Sequence, residues 1–135
     1  MGNILPFRRL KAEDNAYLLL RLYDGALLSI NGARRQMVIR DYSGKGRHIA
    51  RAMDILAELS RSLDREHRLA HNLANLYLLC TAKLLQASSR LETAPLDTAA
   101  TIIGRLRGAV STAMSPRRER PARVLRFVSA SEPQA

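Results

Sequence analysis

The chain has 135 residues, 47% hydrophobic and 25% charged, which suits one compact domain with a buried core. Tryptophan is absent and Ala, Leu and Arg dominate, a composition that favours helix over sheet, so the expected fold class is all-α. Of the formal charge of +10, residues 1–11 contribute Arg8, Arg9 and Lys11, while residues 115–135 contribute five arginines against Glu119 and Glu132, so a basic groove along the body is not required.

In residues 1–13, Ile4, Leu5 and Phe7 are apolar but broken by Pro6, which predicts a short sticky arm outside any regular helix. Asp14 or Asn15 then offers a capping oxygen to a helix reaching about Arg40. At about 100° of rotation per residue, Leu19, Leu22, Tyr23, Ala26, Ile30, Ala33 and Met37 form its core stripe. Leu20, Leu27 and Val38 fall beside that stripe, widening the apolar arc to roughly 200°. In a chain this short, such an excess points to a second face offered to a partner. The segment Asp41 to Gly46, with Gly44 and Gly46, predicts a tight loop; its Gly-x-Gly lacks the strand context of a nucleotide fingerprint.

From Arg47 the pattern resumes with Ile49, Ala52, Met53, Leu56, Leu59 and Leu63. No glycine or proline interrupts residues 47–92, yet the stripe of Leu69, Leu73, Leu76, Tyr77, Cys80, Leu84 and Leu91 is displaced by roughly 80° from the preceding one. The polar run Asp64 to Arg68 is therefore expected to be a turn between helices at about 47–64 and 67–91. Leu78 and Leu85, with Ala74, again lie beside the main stripe. Pro95 opens a fourth helix running to about Ala113, with Leu96, Ala99, Ile103, Leu106 and Val110 inward. Residues 14–114 thus make the bundle, and the basic segment 115–135, interrupted by Pro116 and Pro121, is expected to be largely disordered alone.

The chemical inventory is thin. Acidic residues are scattered, the serines lack a nucleophile turn, and no carboxylate pair stands out, so no enzyme is expected. His67 and His71 have metal-sharing spacing, but no Cys or carboxylate completes a set, and neither metal nor cofactor is predicted. Cys80 lies on an apolar stripe and reads as a small buried hydrophobe. With no signal-peptide core or membrane-length apolar run, a cytoplasmic protein without membrane insertion is expected.

In chain order, Leu22-Tyr23-Asp24-Gly25-Ala26-Leu27, then Ile49-x-x-Ala52 leading to Ile55-Leu56-x-Glu58-Leu59-x-x-Ser62-Leu63-Asp64-x-Glu66, then Asn72-Leu73-x-x-Leu76-Tyr77 and Leu84-Leu85-Gln86-Ala87 resemble the flagellin-specific flagellar export chaperones, the FliS family. The resemblance spans roughly Asp14 to Ala113. It implies an antiparallel up-down bundle of four main helices that binds the disordered C-terminal segment of newly made flagellin, prevents premature polymerisation and presents the client to the flagellar export gate for type III secretion. Family members commonly carry a Gly-Gly turn where this chain has Asp64 to Arg68.

On mechanism the residues point the same way. An assembling client would lay apolar helical faces into grooves between helices, with Leu20, Leu27 and Val38 as one lip and Leu78 and Leu85 as the other. The same leucines would also suit a widened core or a dimer contact. Ile4, Leu5 and Phe7 are expected to cover the groove in the free protein, which is expected to be a monomer. The alternatives are a basic helical nucleic-acid binder using the arginine-rich ends, although no specific nucleic acid is expected, and a divergent paralogue chaperoning another secreted client.

Overall fold

The computed structural model describes residues 12–114. These form four helices, α1 (Ala12–Val38), α2 (Tyr42–Arg61), α3 (Ala70–Arg90) and α4 (Ala94–Met114). Each helix packs on its two neighbours in the cycle α1, α2, α3, α4, and the backbones of the diagonal pairs stay apart. Asp24 of α1 pairs with Arg107 of α4, and Arg34, further along α1, pairs with Asp97, further back on α4, so these two helices run antiparallel. The connections are short, as an up-down bundle requires.

The inward stripes are the buried ones. Leu19, Tyr23, Ala26, Ile30 and Ala33 of α1 meet Ile49, Ala52, Leu56 and Leu59 of α2, Leu73, Leu76, Tyr77, Cys80 and Leu84 of α3, and Leu96, Ala99, Ile103, Leu106 and Val110 of α4 in one core. Leu63 and Leu69, at either end of the α2–α3 connection, are buried with them. Leu22, Met37 and Met53 are only partly buried, and Leu91, expected on the α3 core stripe, is exposed. Leu91 has left the helix by then: its φ of 55° makes it the left-handed residue that ends α3, and the Glu92 amide donates back to the Ala87 carbonyl.

Three helix boundaries depart from expectation. The backbone is already helical at Ala12, so Asp14 and Asn15 lie inside α1 rather than capping it. The α1–α2 turn falls earlier than the glycines suggested. Arg40 takes φ 62°, its amide donates to the Met37 carbonyl, and the Asp41 amide reaches the Gln36 carbonyl at 2.8 Å, closing a Schellman motif without glycine. Asp41 then caps α2, its carboxylate accepting from the Gly44 amide at 2.9 Å. Gly44 and Gly46 are thus helical residues of α2, and a Cβ on Gly44 would lie 2.5 Å from Oδ2 of the capping Asp41, the carboxylate oxygen that does not take the Gly44 amide.

The α2–α3 turn is real and wider than Asp64 to Arg68, covering residues 62–69. Ser62 bonds back to the Glu58 carbonyl, Asp64 accepts from the Glu66 amide, and the His67 imidazole Nδ1 accepts from the Leu69 amide at 3.1 Å. Burial, ahead of the opposing charge of Asp64, lowers the His67 pKa and favours the neutral ring that this acceptor role needs. Side chains therefore take over the donors and acceptors that glycines would otherwise leave to a tighter backbone turn.

Between α1 and α2, Gly25 and Gly32 sit one heptad apart and receive Ile55 and His48, also one heptad apart. A Cβ on Gly32 would lie 2.5 Å from the His48 ring, so that ring rests on bare backbone. Two mid-helix glycines cost about 0.5–1 kcal/mol each in helix stability, offset here by closer approach of the two helices.

Candidate functional site

At the centre of the bundle the hydroxyls of Tyr23 and Tyr77 meet at 2.7 Å, a buried polar link across the α1/α3 diagonal. Burial raises both phenol pKa values well above the ordinary range, so both are neutral at physiological pH. Burial likewise pushes the Cys80 thiol up to about 12, and its sulfur faces the Ala99 carbonyl, so Cys80 is the inert core residue its stripe suggests. Among the described residues no His, Cys, Asp or Glu cluster has metal-binding geometry. His67 belongs to the turn, while His71 meets Asn75 at 3.3 Å. The polar groups hold the bundle together, and its surface is where other chemistry must be sought.

The five lip residues of the sequence divide between opposite sides of the bundle. Leu20, Leu27 and Val38 share a flank of α1 with Asp24 and Arg34, and both of those pair with α4. This flank therefore borders the α1–α4 seam, where Leu20 and Leu27 are partly buried against the core and Val38 is 72% exposed. Leu78 and Leu85, 67% and 52% exposed, lie on the flank of α3 that turns toward α2. Ser88, on the same side of α3, fixes this direction, because its carbonyl accepts the Lys45 ammonium of α2 at 3.3 Å. Since α1 and α3 stand at a diagonal, the two lips border two separate seams. The arm residues Ile4, Leu5 and Phe7 and the segment 115–135 lie outside the described residues.

The α2–α3 seam has a lining that the sequence reading did not assemble. Gly46, Ala50, Met53 and Ala57 run along α2 at i, i+4, i+7 and i+11, on the flank away from Ile55 and His48, which face α1. Ala74, Leu78, Thr81 and Leu85 repeat the same spacing on α3. Neither row contains a charge. Each residue is small or partly exposed, so the rows make a shallow apolar trough with Leu78 and Leu85 standing from one wall. The matched spacing on both helices was the available signal, but it is visible only once the two helices are known to be neighbours. Lys45 closes one end of the trough: its ammonium lies 5.7 Å from the Tyr42 ring centroid and neutralises the carbonyl end of α3.

The α1–α4 seam differs. Its α1 wall carries Leu20, Leu27 and Val38, but the ion pairs Asp24–Arg107 and Arg34–Asp97 cross it. These pairs are partly exposed, so solvent screens them and they open at little cost.

Fold and site together define a small four-helix bundle with one uncharged seam, between α2 and α3, and one crossed by two ion pairs, between α1 and α4. A comparison with protein families assigns residues 8–117 to the family described as flagellar protein FliS, and the chain belongs to that family of flagellar export chaperones. No curated protein matches the chain. None of the described helices is long and apolar enough to cross a membrane.

Proposed function

We propose that this chaperone acts in the cytoplasm on flagellin, holding the client's C-terminal segment as amphipathic helices in the seams of the bundle until type III export. The observation that carries the reading is the α2–α3 trough, uncharged over eight positions of a chain in which 25% of residues are charged. An assembling client presents apolar helical faces, and such faces bury well against a row of Gly, Ala and Met with two leucines above it. Exclusion of those faces from other client molecules prevents premature polymerisation. Delivery to the export gate belongs to the same proposal, with the free protein a monomer.

The test is a titration of the flagellin C-terminal peptide into the wild type and into Leu78→Asp/Leu85→Asp. Both leucines are exposed, so the helical circular dichroism should persist while several kcal/mol of binding are lost, at roughly 1.5–3 kcal/mol per buried leucine. Unchanged affinity in the folded variant would remove the trough from the mechanism. Leu20→Asp/Leu27→Asp should also weaken binding, but these side chains support the core and the variant should lose fold stability as well. A nucleic-acid binder would instead show a steep salt dependence and indifference to both variants.

The N-terminal arm enters as a competitor. Ile4, Leu5 and Phe7 are apolar and precede Leu20 by 13 to 16 residues, a separation short enough that their contact with an apolar seam carries little loop-closure entropy. Deleting residues 2–11 should tighten client binding, and the gain should survive high salt, where the loss of three positive charges ceases to matter.

A further inference from the structure

The helix that supplies the first lip is exposed and apolar on yet another side. Tyr17, Leu28 and Ile39 are 63%, 70% and 68% exposed, far more than Leu20 or Leu27, and they belong to neither seam. Arg21 and Arg35 lie between them. Arg21, Leu28 and Arg35 are each seven residues apart, and Tyr17 and Ile39 stand four residues beyond either end, so the five form one outward stripe about 33 Å long at 1.5 Å per residue. The apolar members Tyr17, Leu28 and Ile39 recur every eleven residues, a period that keeps side chains on one face of a nearly straight helix, where a second helix can meet them along its length.

We propose that this outward face of α1 docks an acidic amphipathic helix of a partner protein, with Tyr17, Leu28 and Ile39 as apolar anchors and Arg21 and Arg35 pairing with its carboxylates. Charge selects this occupant over the others. Between residues 16 and 39 the single carboxylate is Asp24, and Arg107 engages it. Neither Arg21 nor Arg35 has an ion-pair partner among the described residues. On the adjoining part of α2, Arg47 and Arg51 outnumber Asp54, while Glu58 is held by Arg61. The chain's own segments 1–11 and 115–135 are both net basic and would be repelled. A second copy fits no better: paired in parallel or antiparallel about Leu28, each arginine would face an arginine of the other copy, and like charges placed opposite one another oppose pairing. The face lies away from the α2–α3 trough, so occupancy by this partner and by a client there is compatible.

The probe is a labelled synthetic helix of three heptads with leucine at the apolar positions and glutamate beside them, titrated by fluorescence anisotropy into the full chain. Counterparts with glutamine or lysine in place of glutamate serve as controls. The glutamate peptide should bind the wild type, with affinity falling at least about tenfold for Arg21→Glu/Arg35→Glu and for Leu28→Ser, and the lysine peptide should bind the Arg21→Glu/Arg35→Glu variant in its place. All three positions are exposed, so circular dichroism should match the wild type. Absence of binding to the wild type would overturn the proposal. So would equal affinity for wild type and variants, dimerisation of the wild type that Leu28→Ser abolishes, or binding to anionic phosphatidylserine vesicles without binding to the peptide.

Discussion

The Tyr23–Tyr77 contact offers a sharp test of how this core is held together. One hydroxyl donates and the other accepts at 2.7 Å, and both side chains are almost wholly buried. Replacing either tyrosine by phenylalanine removes one oxygen and leaves the other buried without its partner, which costs about 1–3 kcal/mol. Against a total stability of roughly 5–15 kcal/mol this is a large fraction. Replacing both removes the unmet group as well, so Tyr23→Phe/Tyr77→Phe should lie within about 1 kcal/mol of the wild type. The interaction energy from the double-mutant cycle is then about 2–6 kcal/mol in magnitude, the sum of the two single losses, and opposite to them in sign. Urea unfolding followed by circular dichroism measures all four species, and an unchanged slope would show that the mutations act on stability alone. Additive losses in the double mutant, or single losses below about 0.5 kcal/mol, would show that each hydroxyl is satisfied independently and that the pair does not bind the diagonal.

Other consequences are equally direct. Burial raises the pKa of Tyr23, Tyr77 and Cys80, so the unfolded chain releases these protons first; the stability involved is complete below about pH 8 and falls as pH rises through the unfolded thiol and then the unfolded phenol values, by up to about 1.4 kcal/mol per unit for each group. Urea midpoints measured from pH 8 to 11 should show this decline, and the tyrosine contribution should vanish in Tyr23→Phe/Tyr77→Phe. Gly104→Ala and Gly108→Ala, with nothing within 4 Å of the new methyl, should each stabilise by about 0.5–1 kcal/mol in thermal unfolding. Gly32→Ala should not, because its methyl meets the His48 ring. With residues 62–69 turning the chain back on itself, light scattering should report a monomer at every concentration; a stable dimer in dilute solution would mean that α2 and α3 have exchanged between copies.

Periodicity carried the core because burial obeys it: every helix places its inward stripe where a rotation of about 100° per residue puts it. Boundaries were harder, for a particular reason. Glycine is the usual marker of a left-handed helix end, yet the two such ends here are Arg40 and Leu91, while Gly44 lies within α2 to leave room for the capping Asp41. A non-glycine residue in that conformation costs about 1–2 kcal/mol, which the surrounding bonds of Met37, Gln36 and Ala87 offset, and none of those bonds is visible in composition. The same limit applies to the site. Leu78 and Leu85 stood out by wheel position alone, but Gly46 read as loop, Met53 as core stripe, and Ala50 and Ala57 carried no signal of a shared seam until α3 lay beside them. Tyr17, Leu28 and Ile39 lie away from the core stripe, where helical periodicity carries no signal of burial.

The division of the lips between opposite seams constrains how one client could use both. Neighbouring helix axes in a bundle are about 8–10 Å apart, so helices lying in the α2–α3 and α1–α4 seams have axes roughly 25 Å apart across the bundle. A connecting segment must travel around the outside, a path of about 40 Å, which takes at least about twelve extended residues. A client with such a linker gains from tethering: once one helix is seated, the other is presented at an effective concentration that strengthens overall binding by 10²–10⁴ without any new contact (order of magnitude). Two client helices supplied as separate peptides should therefore bind much more weakly than the same helices joined, and shortening the linker below about ten residues should reduce the joined client to the strength of its better half. In that shortened client, Leu78→Asp/Leu85→Asp should abolish the residual binding, whereas opening the α1–α4 ion pairs with Asp24→Asn should change nothing. Retention of full affinity by the short-linker client would show that a single seam holds the whole segment.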